Sequence, residues 1–236
     1  MARRSGLWSQ GPMNKEISEI QNVPIYGMVE AAHYIRVPYQ TLRYWIRGRD
    51  PVRPLVKLTS ENPPRLSFLN LLECHMLSAF RGFYDLRLPK VRRALATAER
   101  MFALEHPLLD LDLHTNRVDI FVRNLPNELV NLSRGGQLGM EAVLQTHLQR
   151  IERDPAGLFS FFPFVEERSL LEPKHIVLNP TVAFGRPVIS GTGISTSFIS
   201  SRFHARDSVS ELAAEYDLPQ QKIEEAIRWE SNLLAA

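Results

Sequence analysis

Seven histidines, one cysteine and three nearby aspartates are the residues of this 236-residue chain whose types suit metal or nucleophile chemistry. Their spacing argues against it. His33, His75, His106, His114, His147, His175 and His204 never form the paired spacing that a helix or loop needs to hold a metal. Cys74 and His75 are adjacent on a helix, so they point apart, and they read as core plus surface rather than nucleophile plus base. Asp110, Asp112 and Asp119 lack the spacing of a divalent-cation loop. Ser190-Gly191-Thr192-Gly193 precedes a helix but has no Lys-Ser/Thr ending, so it is not a nucleotide-hydrolase phosphate loop. No catalytic constellation, metal or cofactor is expected, and the chain reads as a binding protein.

A different set suits a polyanion. Tyr39, Gln40, Thr41, Arg43, Tyr44 and Arg47 fall on one short helix, with Leu42, Trp45 and Ile46 as its apolar face. Arg49, Arg53 and Lys57 follow at once. Arginine and tyrosine suit phosphate oxygens, and glutamine and arginine can pair two-pronged with base edges. Net charge is only +2, but residues 1–100 hold 16 Lys and Arg against 8 Asp and Glu. Residues 101–180 hold 7 against 11, and residues 181–236 hold 5 against 7. The positive charge is concentrated where the arginine-bearing helix lies, as a nucleic-acid footprint requires.

The elements that must position these residues follow from periodicity. Met28, Val29, Ala31, Ala32 and Ile35 give a short helix at 28–36; Val37-Pro38 breaks it, and a second helix runs 39–48 to Gly48. Two extended runs around the turn 60–64 predict a hairpin, and steps of three and four through Leu69, Leu72, Met76, Phe80 and Phe83 predict a helix over 68–84. A further helix opens at Leu88-Pro89. Helix, turn, helix and hairpin is the layout of a winged helix-turn-helix, whose second helix enters a major groove. Residues 1–24, without periodicity, read as a flexible arm.

From 107 to 180 the pattern predicts a small α+β unit. It has strands at 118–122 and 129–132, a turn at 133–136, a helix at 139–153, and strands at 158–165 and 175–178. Alternation places Leu158 and Phe162 on one face and Phe159, Phe161 and Phe164 on the other. The three phenylalanines are buried if the strand is covered on both sides, and form a partner patch if it is not. Residues 182–194 read as two extended pieces, followed by helices at about 196–204, 208–216 and 219–233. Ser208 and Glu211 have the spacing of a capping box. The last helix carries Glu224, Glu225 and Glu230 against Lys222 and Arg228, a balance that phosphates repel, so Glu224 and Arg228 are candidates for protein contact instead.

Two resemblances add to this reading. Val29-Glu30-Ala31-Ala32 followed by Thr41-Leu42-Arg43-Tyr44-Trp45 resembles the MerR-type winged helix-turn-helix, which implies that Arg43 and Tyr44 rest on DNA phosphates. Arg36 stands where that family usually has glycine. It must accept the glycine-type backbone of the turn, and it is a further candidate for a phosphate contact. Gly185, Pro187, Ile189, Gly191, Thr192 and Ile194, then Glu211, Ala214 and Tyr216, resemble a widespread bacterial domain family of unknown function found in antitoxins. Gly193 departs from an arginine common there. The resemblance implies a VapB-type antitoxin encoded beside a PIN-like ribonuclease toxin.

The expected architecture is α+β and mainly helical: a flexible arm at 1–24, a MerR-like winged helix-turn-helix at 25–105, a small α+β middle or dimerisation unit at 106–180, and an antitoxin-associated, three-helix, helix-turn-helix-like unit at 181–236. The expected partners are a cognate PIN-like toxin, double-stranded operator DNA and a second copy of the chain. The alternative is a stand-alone regulator whose middle unit senses a small molecule. A single cysteine excludes an internal disulfide and suits a reducing cytoplasm, and no apolar run is long enough to span a membrane.

Overall fold

The computed structural model describes residues 15–50, 52–58, 60–79, 109, 142–165 and 173–234. The fold is α+β and mainly helical. The strands expected at 118–122 and 129–132, the helix opening at Leu88-Pro89, the turn at 133–136 and the three aspartates lie outside the described residues.

Helix α1 (Lys15–Asn22) corrects the reading of residues 1–24 as a flexible arm, because this part of it is docked. α1 packs on α4 (Phe68–Ala79). Its Gln21, fully buried, accepts from Phe159 N at 2.8 Å and donates to Gly157 O at 3.4 Å. Periodicity missed this helix because a polar residue anchors it, through partners more than a hundred residues away.

Strand β1 (Tyr26–Gly27) leads into α2 (Met28–Tyr34), and α3 (Tyr39–Arg47) follows after a four-residue turn. Beyond α3, Leu55 N and Val56 N both donate to Trp45 O, so the chain folds back on the helix it has just left. Gly48 permits this return. Its φ is +68°, and a Cβ there would lie 2.2 Å from Val52 O. Strands β2 (Ser60–Glu61) and β3 (Pro64–Leu66) form a hairpin, but a tighter one than expected: residues 60, 61 and 64 of the predicted turn are strand, and the run 52–58 is not its first strand. β1 pairs antiparallel with β3 to make the order β1-β3-β2. Ser67 and Asn70 cap α4 reciprocally: Asn70 N donates to Ser67 Oγ and Ser67 N to Asn70 Oδ1. α4 is buried on nearly every side, as a helix apolar all round must be.

The helix expected at 139–153 is shorter. Among the described residues helix α5 covers 142–148 and ends there, and residues 151–153 form β4 (Ile151–Arg153), paired antiparallel with β5 (Phe159–Phe161). Arg150 forces the change. Its Nε donates to Phe162 O at 2.6 Å and its Nη2 to Pro163 O at 2.9 Å, while Phe162 N donates to Arg150 O. Phe161 and Leu178 then exchange backbone hydrogen bonds, joining this hairpin to the C-terminal part.

There β6 (Ile176–Val177) pairs with β7 (Val188–Ile189), so the C-terminal unit takes in a strand from before residue 181. Between them, residues 183–185 are not extended as expected but form a tight turn. Helices α6 (Thr196–His204), α7 (Val209–Glu215) and α8 (Gln220–Leu234) follow, with α8 packed on both others. The capping box read from sequence is present: Glu211 N donates to Ser208 Oγ, and Ser208 N to Glu211 Oε2.

Candidate nucleic-acid and partner surfaces

α2 ends in a Schellman motif. Arg36 N donates to His33 O and Val37 N to Ala32 O, which places Arg36 in the left-handed region at φ 55°. Its φ is the one glycine takes in such a turn. Its side chain turns inward. Nε donates to Phe164 O at 3.1 Å, Nη2 donates to Val165 O at 2.6 Å, and the guanidinium lies 5.3 Å from the centre of the Trp229 ring. The expectation of a phosphate contact at Arg36 is therefore corrected. The guanidinium is spent on two carbonyls and an indole of its own chain, which a local reading could not anticipate.

The helix after the turn presents two faces. Leu42, Trp45 and Ile46 are buried. Tyr39, Gln40, Arg43 and Arg47 are exposed, and Thr41 and Tyr44 are half-buried at the margin. Arg49, Arg53 and Lys57 are exposed on the segment that returns along α3. Arg65, which sequence reasoning passed over, is exposed on β3 and donates to Ile25 O at 3.1 Å. Glu30 steadies the pair from the other end of α2, accepting from Gly27 N at 3.2 Å and from the Tyr34 hydroxyl at 2.9 Å.

α2 packs against the C-terminal helix. The Trp229 ring stacks on Tyr34 at 5.7 Å and meets His33 edge-on at 5.2 Å. Burial, reinforced by the Arg36 charge, pulls the His33 imidazole down to about 4, opposed by a hydrogen bond with the Trp229 backbone. Beside it Glu230 accepts from the Thr196 hydroxyl, and burial raises its carboxyl above the ordinary value.

The partner patch expected from Phe159, Phe161 and Phe164 is not a surface. All three are buried. Phe161 lies 4.7 Å from the His75 ring, Phe164 lies under the Arg150 guanidinium at 5.0 Å, and Phe159 lies under that of Arg153 at 5.2 Å. The strand is covered on both sides, and Phe162, assigned to the opposite face, is buried too. Cys74 and His75 are likewise both buried, and burial pushes the Cys74 thiol well up, against thiolate chemistry.

Glu224 and Arg228 are exposed on α8, with Arg228 Nη1 3.4 Å from Glu225 Oε2. Arg202, on α6, ties that helix to α7 and to the turn between them. It pairs with Asp207, with Glu215 at 2.8 Å and with the Tyr216 hydroxyl at 2.9 Å. Among the described residues, no group of three or more His, Cys, Asp or Glu side chains could hold a metal ion, and no helix is long and apolar enough to cross a membrane.

Comparison with known proteins finds similarity at long distance to a family of unknown function and to a protein described as a putative antitoxin. Residues 176–229 match the family described as "Protein of unknown function (DUF433)". The chain is 23% identical over 229 residues to "Putative antitoxin VapB45" of Mycobacterium tuberculosis, covering 87% of this chain and 93% of that one. It is 25% identical over 213 residues to the uncharacterised protein Rv2308 of the same organism, covering 86% and 88%. The crystal structure of Rv2018 from Mycobacterium tuberculosis has a similar fold, with a TM-score of 0.64 at 19% identity over 87% of this chain and 98% of that one.

Proposed function

We propose that this chain is an antitoxin that holds a PIN-like ribonuclease toxin inactive and, as a homodimer, binds operator DNA to repress its own operon. The exposed basic face of α3 carries the DNA half of this reading. Arg43 and Arg47 follow Tyr39 and Gln40 one and two turns along that helix, and Arg49, Arg53 and Lys57 extend the positive charge toward the β2–β3 hairpin. The α2–α3 pair with this hairpin has the layout of a winged helix-turn-helix, α3 being its reading helix. Arg43 and Tyr44 meet phosphates, and Gln40 and Arg47 are placed for base edges. One such unit grips few phosphates, so two units on a palindrome are required for specific binding.

The toxin half rests on kinship. The C-terminal segment matches the family that the sequence pattern pointed to, and a relative spanning most of the chain is described as an antitoxin. Inhibition needs only that the bound antitoxin occlude the RNA-cleaving site.

Native mass spectrometry of this chain co-expressed with the product of the adjacent reading frame tests the reading. A stable complex of defined stoichiometry is expected, together with a shifted band for DNA upstream of the operon. A lone dimer that binds DNA would instead support a stand-alone regulator.

A further inference from the structure

Three successive residues between β6 and β7, Ala183, Phe184 and Gly185, have left-handed backbones, with φ of 47°, 55° and 75°. For alanine and phenylalanine this conformation is unfavourable and persists only where the surroundings impose it. Here they do. Gly185 N donates to Val182 O, Arg186 N to Ala183 O and Val182 N to Asn179 O. On one side Asn179 accepts from Thr181 N and Thr181 Oγ1, and donates to Ser160 Oγ of β5. On the other the Tyr26 hydroxyl donates to Gly185 O at 2.8 Å, and a Cβ on Gly185 would lie 2.4 Å from that hydroxyl.

What this strained, doubly anchored turn displays is Phe184, 88% exposed. Arg186 beside it is exposed, and no carboxylate among the described residues pairs with it. Val29, at the start of α2 and three residues after Tyr26 in the chain, is 73% exposed. A large aromatic held out on a rigid backbone, next to an arginine with no carboxylate partner among the described residues, has the composition and rigidity of an interface anchor.

We infer that Phe184, with Arg186 beside it, is the anchor by which this chain docks into an apolar cleft bordered by carboxylates on a protein of different sequence. A second copy fits poorly, because a twofold contact centred on Phe184 would set Arg186 against its own symmetry mate. Resting on the function proposed above, that protein is the toxin, and the turn is the contact that holds it.

The test uses the full chain and the product of the adjacent reading frame. Phe184→Asn keeps a side chain that tolerates the left-handed backbone, and Arg186→Glu reverses the neighbouring charge. Phe203→Ser, on α6, serves as the control. Phe184→Asn is expected to weaken the complex at least ~30-fold and Arg186→Glu ~10-fold, with Phe203→Ser unchanged and all melting temperatures preserved. Wild-type affinity in both Phe184→Asn and Arg186→Glu would overturn this inference while leaving the antitoxin reading intact. Failure of the wild-type chain to bind that product at all would overturn both. Conversion of a dimer of this chain alone to monomer by Phe184→Asn would assign the anchor to self-association and overturn it as well.

Discussion

The Arg36 guanidinium lies over the Trp229 indole at 5.3 Å, so the turn between α2 and α3 is fastened to the C-terminal helix. The contact converts a turn that glycine would ordinarily close into a junction between two parts of the chain nearly two hundred residues apart. Its value is clearest beside two other helix ends. Arg206 after α6 and Asp217 after α7 occupy the same left-handed position, with Asp207 N bonded to Arg202 O and Leu218 N bonded to Ala213 O.

Substituting glycine at these sites should have opposite effects. Arg206 is exposed, so Arg206→Gly relieves the backbone and is expected to stabilise by ~0.5–1 kcal/mol. Arg36→Gly gains the same relief but loses two charged hydrogen bonds and a ring contact, for a net loss of about 1–3 kcal/mol. Urea melts of the two variants check this. Equal shifts would show that the Arg36 side chain contributes nothing.

Gly185→Ala should destabilise by more than ~2 kcal/mol, because the new methyl meets both an unfavourable φ and the Tyr26 hydroxyl. Tyr26→Phe alone removes one buried hydrogen bond, at about 1 kcal/mol. The double variant is expected to lose less than the sum, since the clash and the bond share one oxygen. Strict additivity in a double-mutant cycle would contradict this packing.

The depressed His33 pKa sets a pH dependence. Above about pH 6.5 the imidazole is neutral both folded and unfolded, and contributes none. As pH falls toward 4 the unfolded chain takes up a proton that the folded chain refuses, so stability falls through that window and levels off below it. The loss is of order 2 kcal/mol after discounting for the ring's partial exposure. His33→Phe, which keeps an aromatic ring facing Trp229, is expected to flatten stability between pH 6.5 and 4. An unchanged slope would place the titration elsewhere.

For DNA, two subunits each neutralising ~4 phosphates give a slope of about −7 in log affinity against log salt. Arg43→Ala, which removes one phosphate contact from each subunit, should make that slope shallower by about 2 and leave the toxin complex at wild-type affinity. Arg36→Ala should leave the slope as it is, because its guanidinium already faces Phe164, Val165 and Trp229. Titration by fluorescence anisotropy at several salt concentrations separates them. A slope near zero for the wild-type chain would defeat the DNA half of the proposed function.

Much was legible without coordinates, and it was the local part. The spacing of Leu42, Trp45 and Ile46 set both the span of α3 and its buried face, because a 3.6-residue period depends only on neighbours. The Ser208–Glu211 cap was equally local, and so was the existence of a hairpin reversing near 60–64, though not the span of its strands. The exposed faces of the arginine-bearing helix followed once its buried face was known.

Tertiary structure decided what one segment owes to another distant in sequence. Whether Phe159, Phe161 and Phe164 faced water depended on what covered the second side of their strand, and alternation cannot report that. Arg36 read as a phosphate ligand until Phe164, Val165 and Trp229 arrived to take its guanidinium. The helix expected through residue 153 ended at 148 because Arg150 found carbonyls across a hairpin. Phe184 was held out of the core by bonds from Tyr26 and Ser160 to its neighbours in the turn. Periodicity and capping arise from contacts within a few residues and are written in the sequence. The fate of a long side chain is settled by which distant surface reaches it first, and that is a property of the folded chain.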